Sequence, residues 1–266
     1  MGSQYLDVHC HIQFDSYDED REALLTKMNE AGVGGLVVGC DLESSKSAVE
    51  LVEKHEHLWA AVGLHPNDKR DEIFDINNYR ELAKSDKVVA IGECGLDYFR
   101  PIDATPEVKA KQQSIFKQHI ELAAELDKPL VIHSRPTKGT QDAYQDVISI
   151  LKEEKGKQPN LKGDIHFFVG GVEEMREFIA LGFTVSFTAV ITFARDYDDV
   201  IRQAPLESIL SETDYPFIAP ASRRGQRNDP LAVIEVAAKL AEIREEDPEA
   251  VQAALLENAK RLFGLA

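Results

Sequence analysis

Four histidines and two carboxylates in this chain each close a short apolar run. They are His9 and His11 after QYLDV, Glu93 after KVVAIG, His133 after PLVI, His166 after GDI, and Asp214 after SILSET. Imidazole suits zinc, iron and nickel, while carboxylate also serves magnesium and manganese. Six such groups suffice for two divalent ions, with a carboxylate such as Glu93 bridging them. Paired ions about 3.5–4 Å apart polarise a scissile group and acidify a water between them. A carboxylate oxygen left free, best placed on Asp214, can take that water's proton. The chemistry expected is metal-dependent hydrolysis. His9, His11, Glu93, His133, His166 and Asp214 would be the ligands, and Glu93 and Asp214 the catalytic pair.

A single histidine of this kind reads as a hydrogen-bonded core residue; the joint placement carries the argument. Four of the eight histidines stand at strand ends. His55, His57 and His119 fall in helical or helix-terminal stretches and read as surface residues. His65, in GLHPND, lies on the same face as the ligands and is assigned to substrate.

Ligands spread from position 9 to position 214 meet only if a fold gathers the strand ends. Apolar runs predict strands at 4–8, 35–39, 58–63, 87–92, 129–133, 163–167, 183–187 and 208–213. Helical patterns fill the gaps at 19–31, 43–56, 76–85, 106–127, 140–155, 172–181, 196–203 and 231–244, with one more at 248–260. Runs such as LVVG lack alternation, so both strand faces are buried. Eight strand–helix units are the count of an α/β fold, the (β/α)8 TIM barrel, as one domain over 1–266, with its active site at the C-terminal strand ends. An open doubly wound sheet would open on a glycine-rich turn. Here the first strand runs into HCH, and GVGG at 32–35 precedes a strand and reads as a helix stop. Residues two apart on a strand share a face. His9 and His11 should therefore point together with Asp7, Glu93 with Ile91, and Asp214 with Glu212. Cys10 and Cys94 should turn away into packing.

The 266 residues suit one large α/β unit. No apolar stretch reaches the roughly 18 residues of a membrane span, and the first strand begins too early to leave room for a signal peptide. The three cysteines form no CxxC pair, which suits a reducing cytoplasm. The net charge of −17 opposes long-range attraction of nucleic acid, so a polynucleotide substrate would need a local basic patch and the metals. Arg135 follows His133 by two residues, and Arg223, Arg224 and Arg227 crowd the loop after the last strand; guanidinium groups there can clamp phosphate. Tyr98, Phe99 and Phe168 are placed to stack on a base or to roof the barrel.

The motifs DVHCH (7–11), GLHP (63–66), IGECGLDY (91–98), Gln112 with Phe116, KPLVIHSRP (128–136), DIHFF (164–168), SETDYPF (211–217), RNDP (227–230) and NAKRLFG (258–264) run in order over nearly the whole chain. In that order they resemble the TatD-related deoxyribonucleases of the amidohydrolase-like superfamily. The resemblance implies a TIM barrel binding one to three divalent cations and hydrolysing DNA phosphodiesters, often as a 3′→5′ exonuclease. It implies one metal on His9, His11, Glu93 and Asp214 and a second on Glu93, His133 and His166. Glu93 stands where other amidohydrolases often carry a carboxylated lysine. Two departures are Phe167, where family members commonly have Cys, and the RPTKG rim after His133. The expectation is an exonuclease acting on single-stranded DNA or a nucleotide, with Arg135, His65, Arg227 and Tyr98 as substrate contacts. No membrane attachment or obligate protein partner is expected. The alternatives are a hydrolase of a small ester, lactone, amide or aminoacyl ester, and a non-catalytic metal scaffold.

Overall fold

The computed structural model of the chain describes residues 3–67, 73–100 and 104–265. Eight parallel strands follow one another in sequence order around a single sheet. They are β1 (Tyr5–Cys10), β2 (Val33–Val38), β3 (Leu58–Val62), β4 (Val88–Asp97), β5 (Leu130–Arg135), β6 (Gly163–His166), β7 (Thr184–Phe187) and β8 (Ile209–Ser211). The helices α1 (Arg21–Glu30), α2 (Leu42–Val52), α3 (Ile76–Leu82), α4 (Pro106–Leu126), α5 (Asp142–Lys157), α6 (Val172–Ala180), α7 (Asp198–Gln203) and α8 (Ala232–Arg244) alternate with them, and α9 (Pro248–Phe263) follows. This is the (β/α)8 barrel. Its β8–β1 seam is stitched above the strands by His11 N–H to the Tyr215 carbonyl (3.1 Å) and Asp214 N–H to the His9 carbonyl (2.9 Å).

Strand alternation divides the apolar side chains into two layers. Cys10, Val37, Val62, Ile91, Ile132 and Ile165 face the helices. Leu6, Val8, Leu36, Val38, Val131 and Leu210 fill the barrel interior with Leu262 and Phe263 of α9. Helix α9 covers the N-terminal end, where Asn258 donates to the carbonyls of Leu206 and Ile209. The opposite end is left for polar groups. The helix stops and starts are chemical: Asp41 caps α2, Thr105 caps α4 ahead of Pro106, and Asp247 caps α9 ahead of Pro248.

Four local expectations are corrected. Within GVGG, Gly32 alone, at φ 66°, ends a helix; Gly34 and Gly35 lie inside β2. The β1–β2 register shifts between Asp7 and Cys10. In consequence Leu6 and Val8 face inward below His9 and His11, while Asp7 turns into the seam and accepts from the Thr213 N–H and hydroxyl. The β4–β5 register shifts between Ile91 and Cys94, so Ile91 packs with Cys94 in the outer layer and not with Glu93. A bulge adds one residue and inverts the facing of everything beyond it.

His119 is the fourth. It is fully buried in α4, with Nε2 accepting from Leu64 N–H (3.0 Å), Nδ1 against the Ile115 carbonyl (2.9 Å) and Phe74 packed on its ring. Burial pushes its pKa down to about 4, against a smaller upward pull from the Ile115 hydrogen bond. The unfolded chain therefore binds a proton that the folded chain refuses, and stability falls as pH drops from about 6.5 towards about 4. The shift corresponds to about 3 kcal/mol. His119→Gln should start less stable at neutral pH but lose markedly less over that interval, as read by denaturant unfolding at each pH. Parallel losses in both proteins would remove His119 from the acid response.

Candidate metal centre

The six residues expected as ligands come together at the C-terminal mouth of the barrel. His9, the penultimate residue of β1, and His11, just beyond the strand, have their Nε2 atoms 3.2 Å apart. Glu93 Oε2 lies 3.5 Å from His9 Nε2, and Glu93 Oε1 lies 3.0 Å from His133 Nδ1 and 3.7 Å from His166 Nε2. Asp214 Oδ1 stands 3.4 Å from His11 Nε2 and 4.0 Å from His9 Nε2. The β5–β6 register sets His133 directly opposite His166, and His166 stacks on His9 at 3.4 Å. Ligand atoms lie within 4.8 Å of one another in three overlapping sets: His9, His11 and Glu93; His9, His166 and Asp214; Glu93, His133 and His166. Glu93 faces both sides of the cluster, the position a bridging carboxylate needs.

Hydrogen bonds behind the cluster orient its rings. His11 Nδ1 lies 2.9 Å from the Val38 carbonyl, and His166 Nδ1 lies 2.9 Å from Glu212 Oε2. Each Nδ1–H donates outward, so each Nε2 faces the centre and would offer it a lone pair once its own proton is released to a bound cation. Several imidazole nitrogens and two carboxylates thus point at one another, and His9 Nδ1 is buried without a hydrogen-bond partner. A divalent cation fits this donor set. The charges of these side chains agree. Burial would raise the Glu93 pKa, but His65, His9 and the bond from His133 hold it well below the carboxylate range. Against burial, Glu212 and Glu93 hold His166 up at about 10, and Asp214 raises His11. Burial and His166 lower His9 to about 4. Ligands that carry protons without metal must release them on binding, so metal affinity should rise with pH.

Glu212 and Asp97 support the cluster and went unassigned in the sequence reading. Glu212 Oε1 also accepts from Phe167 N–H (2.7 Å). The Ser186 hydroxyl lies 2.9 Å from Glu212 Oε2 and 2.5 Å from Asp164 Oδ2. One hydroxyl proton serves only one of two carboxylates. Burial and the charge of Glu212 raise the Asp164 pKa to about 7. Glu212→Gln should weaken metal binding by about 10–100-fold, as read by chelator competition. An unchanged affinity would mean that Glu212 does not orient His166.

Asp97 lies 3.4 Å from His133 Nε2 and, with His65 and His133, forms a further set of ligand atoms within 4.8 Å. Strand β4 runs on to Asp97, past the predicted end at 92, so Glu93, Gly95 and Asp97 share one face. A longer reading of that strand would have found it. Gly95, at φ 131°, permits the close approach: a Cβ there would stand 2.1 Å from the His133 carbonyl. Cys40 was equally unassigned, and its Sγ lies 3.6 Å from Glu93 Oε2.

The expected substrate contacts divide. His65 Nε2 lies 3.7 Å from Glu93 Oε1. Arg135 follows His133 on the same face of β5 and pairs in register with Asp97. Tyr98 does not join the site: it is buried, with its hydroxyl on Asp146 Oδ2 (2.8 Å) and Lys109 over its ring. Arg227 is held away by Asp20 and the Ser16 carbonyl, over the ring of Tyr17. Arg223 pairs with Asp229. Phe168 is buried against Tyr144 and Phe187.

Fold and site together define a metal-dependent hydrolase on a (β/α)8 barrel. The chain belongs to the TatD related DNase family, whose model matches residues 6–264. It is 38% identical over 261 residues to a Bacillus subtilis protein named uncharacterized metal-dependent hydrolase YabD, covering 97% of this chain and 98% of that protein. It is 31% identical over 269 residues to the Escherichia fergusonii protein named 3′-5′ ssDNA/RNA exonuclease TatD, covering 98% and 99% of the two chains. The crystal structure of YjjV, a TatD homologue from Escherichia coli K12, superposes with a TM-score of 0.89 at 30% identity over 100% of each chain.

Proposed function

We propose that the chain is a 3′→5′ exodeoxyribonuclease that hydrolyses phosphodiester bonds of single-stranded DNA with two divalent cations. The observation that supports this best is the converging donor set with Arg135 beside it, two residues from His133 on the same strand face. His9, His11, Glu93 and Asp214 would hold one ion, and Glu93, His133 and His166 the other. Such ions supply Lewis acidity toward the phosphoryl group and acidify water. Arg135 binds the phosphate and sets it against the centre. Asp214 Oδ1 faces the two β1 imidazoles, which leaves Oδ2 to take the proton of the attacking water. His65, hydrogen-bonded at Nδ1 by Asn67 N–H (3.2 Å), turns its Nε2 to Glu93 at the centre. The relative named as a single-stranded DNA and RNA exonuclease supports the same substrate class. Three free cysteines, all buried, favour a reducing compartment such as the cytoplasm.

A small ester or amide is the second reading, favoured by the net charge of −17. The test is a time course on single-stranded DNA labelled at either end, with magnesium or manganese. Stepwise loss from the 3′ end is expected. Intact DNA beside a hydrolysed small ester would replace the first reading with the second.

A further inference from the structure

Most arginines of the described residues engage carboxylates, as Arg80 does Glu125, Arg223 does Asp229 and Arg227 does Asp20. Arg176 and Arg261 lack a carboxylate but bond Gln203 and the Glu207 carbonyl. In a chain with 47 acidic residues, Arg135 and Arg224 stand apart in having, among the described residues, neither an ion pair nor a side-chain hydrogen bond, each engaging a phenylalanine ring instead. The Arg135 guanidinium carbon is 4.2 Å from the Phe99 centroid, and that of Arg224 is 3.7 Å from the Phe193 centroid. Despite this cover, Phe99 remains 46% and Phe193 37% exposed.

Both pairs stand on the face that carries the donor cluster. Phe99 follows β4, and its N–H donates to Asp97, whose other oxygen lies 3.4 Å from His133 Nε2. Phe193 follows β7, and Arg224 lies in the loop after β8. The Ala221 N–H to Thr192 hydroxyl bond (2.8 Å) ties those two segments together. A third exposed ring, Phe217, edges His11 at 6.3 Å. A flat ring with a guanidinium beside it matches a nucleobase and its phosphate.

We propose that Phe99–Arg135 and Phe193–Arg224 are two base-stacking stations flanking the metal centre, each holding an unpaired nucleobase of a single-stranded DNA chain. This rests on the nuclease reading above. Duplex DNA buries its base faces in its own stack and is not held. The stations also explain how so acidic a chain holds a polyanion: contact is confined to two cationic, aromatic spots.

The test compares a fluorescein-labelled hexathymidylate with an abasic hexamer of the same charge. Each is titrated by anisotropy against manganese-loaded Asp214→Asn protein, with the oligonucleotide checked as intact. The hexathymidylate should bind about tenfold or more tighter. Adding Phe99→Leu and Phe193→Leu should erase that advantage and leave the abasic affinity and the melting temperature unchanged. Equal affinity for the two hexamers, no binding of the thymidylate, or an advantage that survives both substitutions would overturn the stations. The wild-type time course on labelled DNA judges the nuclease reading separately. Stacking without cleavage sinks that reading alone, and cleavage without a base advantage sinks the stations alone.

Discussion

Asp214→Asn should lower kcat on single-stranded DNA by about 10³-fold, the range lost with a positioned general base, while KM changes little. Asn keeps an oxygen for the His9–His11 side of the centre but has no basic lone pair of comparable strength. The residue is set precisely for its task. Its backbone takes φ 52°, a left-handed conformation that Asp tolerates better than most residues. Its N–H donates to the His9 carbonyl, and Phe217 N–H donates to its own carbonyl. Burial would raise its pKa, but the bond from His11 and the charges of His166 and His9 keep it low. Steady-state kinetics beside metal analysis of the same protein checks the prediction. A rate within tenfold of wild type, at equal metal content, would move the base elsewhere.

Glu93→Gln should have the larger effect on metal content. Its carboxylate meets His9, His65, His133 and His166 at 3.0–3.7 Å. Its removal leaves Asp214 as the sole carboxylate among the six ligands. One bound ion should be lost, and with it several kcal/mol of transition-state stabilisation, a fall of about 10³-fold or more. Elemental analysis and isothermal titration read the stoichiometry. Retention of two ions by the variant would show that Glu93 does not bridge. The barrel should still form, because Glu93 packs no apolar surface in either layer of the core.

The two variants separate by what they leave behind. Asp214→Asn leaves two ions and little turnover; Glu93→Gln leaves fewer ions. Glu212→Gln, which touches no substrate, should move metal affinity and its pH profile first and turnover only through them.

The eight strands were legible because each is an apolar run buried on both faces and punctuated by helix-period segments. The convergence of the six candidate ligands was legible because they sit where those runs end, and a parallel barrel brings such ends to one face. His133 and His166 lie on regular strands, and the β5–β6 register sets them side by side. Parity failed at Asp7 and Ile91, where bulges shift β1 and β4 by one residue; apolar patterning cannot register an added residue in a run buried on both sides. Glu212 was visible as a carboxylate on the Asp214 face. Its bond to His166, 46 residues away in sequence, comes from the neighbouring of β6, β7 and β8.

The sequence by itself determined the barrel, its mouth and the residue types gathered there, since those depend on periodicity and strand order. Only the tertiary structure decided which way individual side chains turn once they leave a regular element. It buried His119 under Phe74, turned Tyr98 to Asp146, drew Arg227 to Asp20, and left Arg135 and Arg224 on rings. Those choices depend on partners far apart in the chain, and a long polar side chain takes whichever partner the packed fold brings within reach.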